Sequence, residues 1–121
     1  MIDESTKALV VLITTGTRAE AVRIAEILVG ERLAACVQIM PEMESIYRWE
    51  GAVQREAEFL LIAKTISDRF AQLEAAIRAL HSYENPEIIA LPVLNGSHAY
   101  LDWLIENVAL SDPDSAMPPE E

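Results

Sequence analysis

The predicted strands of this chain are apolar on both of their faces, and this feature restricts most strongly which folds the chain can adopt. Residues 8–13 form a continuous apolar run rich in β-branched side chains, as in a buried central strand. Within 34–40 and 56–65, apolar side chains occupy odd and even positions alike. Because successive side chains of a strand point to opposite faces of its sheet, both faces of the predicted sheet must be covered.

Apolar residues at helical spacing predict the helices, and local residues mark where these helices begin and end. Thr17 followed by Glu20 predicts a capping box at the start of the first helix, and Gly30 should end that helix. Ser67 is placed to cap the second helix, and Ser97 to open the third. Each predicted helix has one apolar stripe, which it should bury against the sheet.

The predicted strands are separated by equally local signals. Thr14 to Gly16 should end the first strand, Pro41 should bend the second, and Glu50-Gly51 sits where a two-residue hairpin turn would join the second to the third. The resulting order is β-α-β-β-α-β followed by a C-terminal helix. It predicts an α+β, ferredoxin-like split βαβ fold with a four-stranded antiparallel sheet and a long hairpin between the second and third strands.

The second face of this sheet calls for a partner chain. One C-terminal helix is too small to cover a whole sheet face. The hairpin across 43–59 also reaches beyond its neighbours and carries Tyr47 and Trp49 near its end. Such an arm exposes apolar surface and free strand edges unless another chain meets it. The pattern therefore predicts a homo-oligomer.

Length and charge define the domain and exclude two classes of partner. The chain has 121 residues and a formal net charge of -11, which fits one acidic domain. We predict a single domain over 8–109, with flexible acidic tails at 1–7 and 110–121. An acidic protein repels phosphate backbones and anionic lipid head groups, so we expect neither nucleic acid nor a membrane as partner.

Residue types also bear on compartment and catalysis. Cys36 is the single cysteine, which rules out an intrachain disulfide and fits a reducing compartment. The N-terminal residues lack the basic and apolar regions of a signal peptide, so the protein is predicted to be cytoplasmic. None of the sequence patterns that mark hydrolases, zinc proteases, redox pairs or phosphate-binding loops occurs. We therefore expect a binding protein rather than an enzyme.

The segment 81–87 is the richest in chemically active side chains. It contains His81, Tyr83, Glu84 and Glu87 between a helix and a strand, where loops often form sites. An imidazole with carboxylates suits a divalent metal ion. The structural alternative is that Tyr83 packs, the glutamates pair with basic residues and His81 ends a helix favourably. Tyr47 and Trp49 have an alternative too, as aromatic residues of an oligomer contact.

Two stretches of the chain resemble a known family. LAACVQIMPEMESIYRWEGAVQREAEFLLIAKT at 33–65 and HSYENPEIIALPVLNGSHAYLDWL at 81–104 are similar to the CutA, or divalent cation tolerance, family. The resemblance covers about residues 9–108. It implies a ferredoxin-like subunit in a tight homotrimer, with the long hairpin pairing across subunits. This architecture is similar to that of the trimeric PII signalling proteins.

The resemblance also implies copper binding, and it can be carried over residue by residue. In one bacterial member of the family, the proposed copper ligands are a cysteine at the end of the first strand and a pair of histidines. Ile13 and Leu80 stand at two of those positions here, and His81 matches the remaining histidine. Cys36 matches the cysteine of the LAAC motif. The resemblance thus implies a site for Cu(II) or another divalent cation at His81 and Cys36.

Two hypotheses about function follow. The first is a trimeric divalent-cation-tolerance protein that binds copper or another divalent metal and takes part in the response to metal ions. The alternative is a PII-like signalling or scaffold protein that binds a small ligand or a protein partner between its subunits. Both place ligands in an inter-subunit cleft, whose predicted lining residues are Tyr47, Trp49, Lys64, Tyr83, Glu84 and Glu87.

Overall fold

The computed structural model of the protein describes residues 6–109, which form five strands and three α-helices. In chain order these are β1 Ala8–Thr15, α1 Arg18–Gly30, β2 Cys36–Ile39, β3 Met43–Trp49, β4 Ala52–Ile66, α2 Phe70–Leu80, β5 Ile88–Pro92 and α3 His98–Val108. Of the predicted tails, residues 1–5 and 110–121 lie outside the described residues. No helix within 6–109 has the length and apolar character needed to cross a bilayer.

The strands form an antiparallel sheet in the order β2-β4-β1-β5, with β3 paired to the first half of β4. The sequence predicted four strands, and the described residues form five. The difference arises at Pro41, which lacks an N–H group and separates β2 from β3. Both pieces pair with β4, whose 15 residues extend the sheet into a long two-stranded arm of β3 and β4.

Local signals explain the ends of several elements. The hydroxyl of Thr17 accepts a hydrogen bond from the Glu20 N–H at 3.1 Å and caps α1. Glu50 and Gly51 both have positive φ, at 50° and 82°, as a tight hairpin turn of this kind requires. The predicted cap at Ser67 was wrong. The Ser67 hydroxyl donates instead to the Lys7 carbonyl at 3.2 Å, and a 3-10 turn leads into α2.

The two faces of the sheet are covered unequally. Helices α1 and α2 bury one face, where Ile13 and Leu61 are fully enclosed. On the other face α3 covers only one end, through Leu104 and Val108 packed against Ala8 and other buried residues. A single chain therefore leaves most of its second sheet face without a helix over it.

The uncovered part is apolar, and we call it the open face. It consists of Val10 and Leu12 of β1, Ile62 of β4, and Ile89 and Leu91 of β5, which lie opposite one another in the sheet register. Ile89 is 50% exposed and Leu91 49%. This surface is the structural counterpart of the doubly apolar strands seen in the sequence.

Candidate ligand-binding cleft

A cleft of about 610 Å³ lies between the end of β1, the arm formed by β3 and β4, and the loop that follows α2. This volume is in the range of small-molecule sites, about 300–1,000 Å³. Its lining residues are Thr14, Ser45, Ile46, Tyr47, Trp49, Glu58, Tyr83, Glu84, Asn85 and Glu87. Glu58 lies two and four residues before Leu60 and Ile62 on β4, so the cleft adjoins one end of the open face.

His81 fixes the loop that forms one wall of the cleft. Its Nε2–H group donates to the Thr14 carbonyl at 2.6 Å, and its Nδ1 accepts from the Tyr83 N–H at 3.0 Å. These partners define the neutral tautomer with the proton on Nε2. The His81 side chain is fully buried. Neither ring nitrogen keeps a free lone pair, so His81 could bind a metal ion only after giving up one of these bonds.

Thr14 can accept this bond because the first strand runs further than the sequence predicted. Thr14 and Thr15 were expected to end the strand, but they pair with Leu60 and Phe59 of β4. On its other side β1 pairs with β5 only as far as Ile13. The Thr14 carbonyl therefore lies beyond the β5 ladder, where the imidazole reaches it.

Glu20 holds the same loop from the first turn of α1. Its carboxylate accepts the Ser82 N–H at 2.6 Å and the Ser82 hydroxyl at 3.1 Å. The sequence predicted that this carboxylate would bond back to Thr17, and that half of the capping box was wrong. The contact spans 62 residues of chain, and no local pattern signalled it.

Glu58 and Tyr83 form the polar floor of the cleft. The Tyr83 hydroxyl donates to Glu58 Oε2 at 2.8 Å, and Glu58 is only 7% exposed. Partial burial and the bond to Glu58 raise the pKa of Tyr83, so the phenol stays protonated and remains a donor. A Cβ at Gly16 would come within 3.0 Å of the Tyr83 hydroxyl, so the glycine leaves room for it. Glu58 was not predicted as a site residue, and the one signal for it in the sequence was an acidic residue inside an apolar strand.

The cleft has a uniformly negative set of charged side chains. Partial burial, followed by the charge of Glu58, raises the pKa of Glu87 above its ordinary value. Glu84 adds a third carboxyl, and no Lys, Arg or His is among the described residues that line the cleft. Such a site repels anions and attracts cations.

The structure brings together most of the residues predicted to line the cleft. Tyr47, Trp49, Tyr83, Glu84 and Glu87 all line the cleft of this chain. That they bind a ligand between subunits stays a prediction. Lys64, the sixth predicted residue, does not line the cleft of this chain, and its ammonium group donates to Gln38 Oε1 on β2.

His81 and Cys36 do not meet in one site. Cys36 lies opposite Lys64, which pairs with Val10, and its Sγ is 3.7 Å from the Tyr100 hydroxyl. His81 bonds to Thr14, four residues further along β1 and thus about 13 Å away along the strand. Within 6–109, no three His, Cys, Asp or Glu side chains are grouped to hold a metal ion. The predicted pair therefore does not form a metal site within one chain.

Comparison with known proteins covers nearly the whole domain. Residues 9–107 match the family described as CutA1 divalent ion tolerance protein. The chain is 52% identical over 98 residues to the divalent-cation tolerance protein CutA of Thermus thermophilus, covering 81% of this chain and 95% of that protein. A solved structure of the divalent cation tolerance protein from Thermus thermophilus aligns with a TM-score of 0.82 at 50% identity, covering 84% and 98% of the two chains. That of CutA1 from Oryza sativa aligns with a TM-score of 0.85 at 40% identity, covering 90% and 100%. The chain belongs to the CutA1 divalent ion tolerance family, as its sequence motifs predicted.

Proposed function

We propose that the protein is a homotrimer that binds cations, divalent cations among them, in the cleft beside its open face. The observation that carries this proposal is the charge of the cleft. Every charged side chain among its described lining residues is a carboxyl group, and the most deeply placed of them, Glu58, is 7% exposed. The relatives that match this chain are named for divalent-cation tolerance, which agrees with a cation as ligand.

The open face supports assembly. Apolar side chains of β1, β4 and β5 form a continuous surface, and Ile89 and Leu91 expose about half of their area. Monomeric proteins rarely leave such a surface in water, and closed symmetric oligomers are the usual way to bury it. The cleft adjoins this face, so a neighbouring subunit would stand beside the ligand.

Light scattering tests the assembly. We expect a mass of about 40 kDa, three times the 13.4 kDa of one chain. Leu91→Lys should shift the protein toward monomer, because it places a charge in the buried contact. Val29→Lys is the matched control, since Val29 is 42% exposed on α1, which packs on the other face of the sheet. A Leu91→Lys protein that keeps the full trimer mass would contradict assembly through the open face.

Copper coordination by His81 and Cys36 does not fit the described residues, for the reasons of geometry given above. Carboxylates suit harder cations better than copper. Glu58 and Glu87 supply an incomplete ligand set, and one subunit alone should therefore bind divalent ions weakly. We propose that the cleft carboxylates, rather than His81 and Cys36, carry this binding.

Calorimetry with Cu(II), Zn(II) and Mg(II) tests the metal part of the proposal. Glu58→Gln and Glu87→Gln should each weaken binding, because each removes a negative charge from the cleft. Cys36→Ser should leave binding unchanged, because Cys36 lies outside the cleft lining. Tight copper binding that survives Glu58→Gln and disappears in Cys36→Ser would move the site to β2 and contradict the proposal.

The role we propose is binding without catalysis, in the cytoplasm. The alternative of a PII-like signalling or scaffold protein is not favoured by any feature of residues 6–109 described above. The family match favours the divalent-cation interpretation.

A further inference from the structure

Aromatic rings wall the cleft beside its carboxylates. Tyr47 and Trp49 lie two residues apart on β3 and so share one face of the arm, while Tyr83 comes from the loop after α2. In the single chain Trp49 is 44% exposed and Tyr47 39%, so their rings face the open space of the cleft. The faces of such rings attract cations, and tryptophan attracts them most strongly. This attraction favours a weakly hydrated organic cation over a small metal ion, which holds its water shell tightly.

Glu58 supplies an independent indication of the ligand. Only one of its oxygens has a hydrogen-bond partner among the described residues, namely Oε2, which accepts from the Tyr83 hydroxyl. Oε1 has no donor in that part of the chain, and no Lys, Arg or His there forms an ion pair with Glu58. A carboxylate that is only 7% exposed is costly to keep without a cation nearby. A cationic ligand with N–H donors would supply both a positive charge beside Glu58 and a hydrogen-bond donor for its Oε1.

An ammonium group has the required chemistry. It carries a positive charge and three donors, so it can meet Glu58 Oε1 and still bond to neighbouring oxygens such as those of Glu87. An attached aliphatic chain would pack against the rings of Tyr47 and Trp49 and so add to the affinity. A bare inorganic ion has no apolar part that could make this contact. The volume of about 610 Å³ accommodates a molecule of several carbon atoms.

We propose that the cleft binds a small alkylammonium compound, with its ammonium group at Glu58 and its aliphatic chain against Trp49 and Tyr47. The inference rests on the cation-binding role proposed above and specifies the chemical class of the ligand.

The test uses the full chain in EDTA, which removes free metal ions. In a Trp103→Phe background, Trp49 is the only tryptophan left of the two in the chain, so its fluorescence reports on the cleft. We expect saturable binding of n-butylammonium. Methylammonium, which lacks the chain, and 1-butanol, which lacks the charge, should each bind about tenfold more weakly or worse. Calorimetry on the unmodified chain should give the same order of affinities.

Two variants assign the binding to the cleft. Glu58→Gln should weaken n-butylammonium binding about tenfold or more, because it removes the charge and keeps an acceptor for Tyr83. Glu26→Gln, the same change at an exposed position of α1, is the matched control and should bind as the parent does. If Glu58→Gln does not fold, Trp49→Leu followed by calorimetry tests the aromatic wall instead and should also weaken binding.

Several outcomes would overturn the inference. They are equal binding of 1-butanol and n-butylammonium, unchanged affinity in Glu58→Gln or in Trp49→Leu, and no saturable binding to the assembled protein. Metal titrations without amine test the divalent-cation proposal separately, so failure of either proposal can be told from failure of the other.

Discussion

Replacing Tyr83 with phenylalanine tests whether the floor of the cleft is held together as the structure indicates. The change removes the hydroxyl that donates to Glu58 Oε2 at 2.8 Å and keeps the aromatic ring. A hydrogen bond to a charged group contributes about 1.5–3 kcal/mol. Since Glu58 is 7% exposed, water can replace the lost donor only in part. We expect the free energy of unfolding to fall by about 2 kcal/mol.

Urea unfolding followed by circular dichroism measures this difference. The protein concentration is held fixed, because the proposed assembly would make stability depend on concentration. With a slope of about 2 kcal/mol per molar urea, the midpoint should fall by about 1 M. Tyr100→Phe is the matched control. Its hydroxyl lies 3.7 Å from Cys36 Sγ, a weak contact, and Tyr100 is 44% exposed. That variant should change stability by less than about 0.5 kcal/mol.

A double-mutant cycle with Glu58→Gln identifies the partner. A hydrogen bond between two neutral groups contributes about 1 kcal/mol to stability. Tyr83→Phe should therefore lower the free energy of unfolding by about 1 kcal/mol less in the Glu58→Gln background than in the parent. An equal cost in both backgrounds would refute the reasoning. It would show that Tyr83 acts through its packing and that water satisfies Glu58.

Three further changes test other parts of the site. Gly16→Ala should destabilise the protein by about 1–3 kcal/mol in the same unfolding assay, because its Cβ would crowd the Tyr83 hydroxyl at 3.0 Å. A neutral effect would show that the loop carrying Tyr83 moves freely. Because partial burial and Glu58 raise the pKa of Glu87 in the folded state, the folded protein holds that proton more tightly than the unfolded chain. Stability should therefore fall as pH rises from the ordinary glutamate range through the raised pKa of Glu87. The Glu87→Gln variant should lack this fall. A parent protein that instead gained stability relative to Glu87→Gln over this pH range would contradict the assignment. Thr17→Ala should cost about 0.5–2 kcal/mol through loss of the α1 cap, and thermal melts would detect it as a lower midpoint; an unchanged melt would show that the cap adds nothing.

Much of the fold could be predicted because its signals are local. The order of elements, the cap at Thr17 and the turn at Glu50-Gly51 each depend on a few neighbouring residues, and the structure confirms them. The need to cover both sheet faces was also visible, because strand periodicity alone shows which side chains share a face. The strand count differed because Pro41 divides one predicted strand into two, and the sequence indicated only that it bends there.

The candidate site was predicted in part. The aromatic and acidic residues around Tyr83 stood out by their type and by their place in a loop. The partners that fix them did not, because Glu20 meets Ser82 across 62 residues and Glu58 meets Tyr83 across 25. Spacing in the sequence carries no information about such pairs until the sheet brings β4, α1 and the loop together.

By itself, the sequence determined the order of helices and strand regions, the doubly apolar sheet and the family to which the chain belongs. Tertiary structure alone decided what each polar side chain does. In the folded chain, both ring nitrogens of His81 are hydrogen-bonded, and Lys64 lies outside the cleft lining. One oxygen of Glu58 has no donor in the described part of the chain. The physical reason is that secondary structure follows from local backbone and side-chain preferences. The chemistry of a polar group depends instead on which distant groups reach hydrogen-bonding distance and on how much water is excluded.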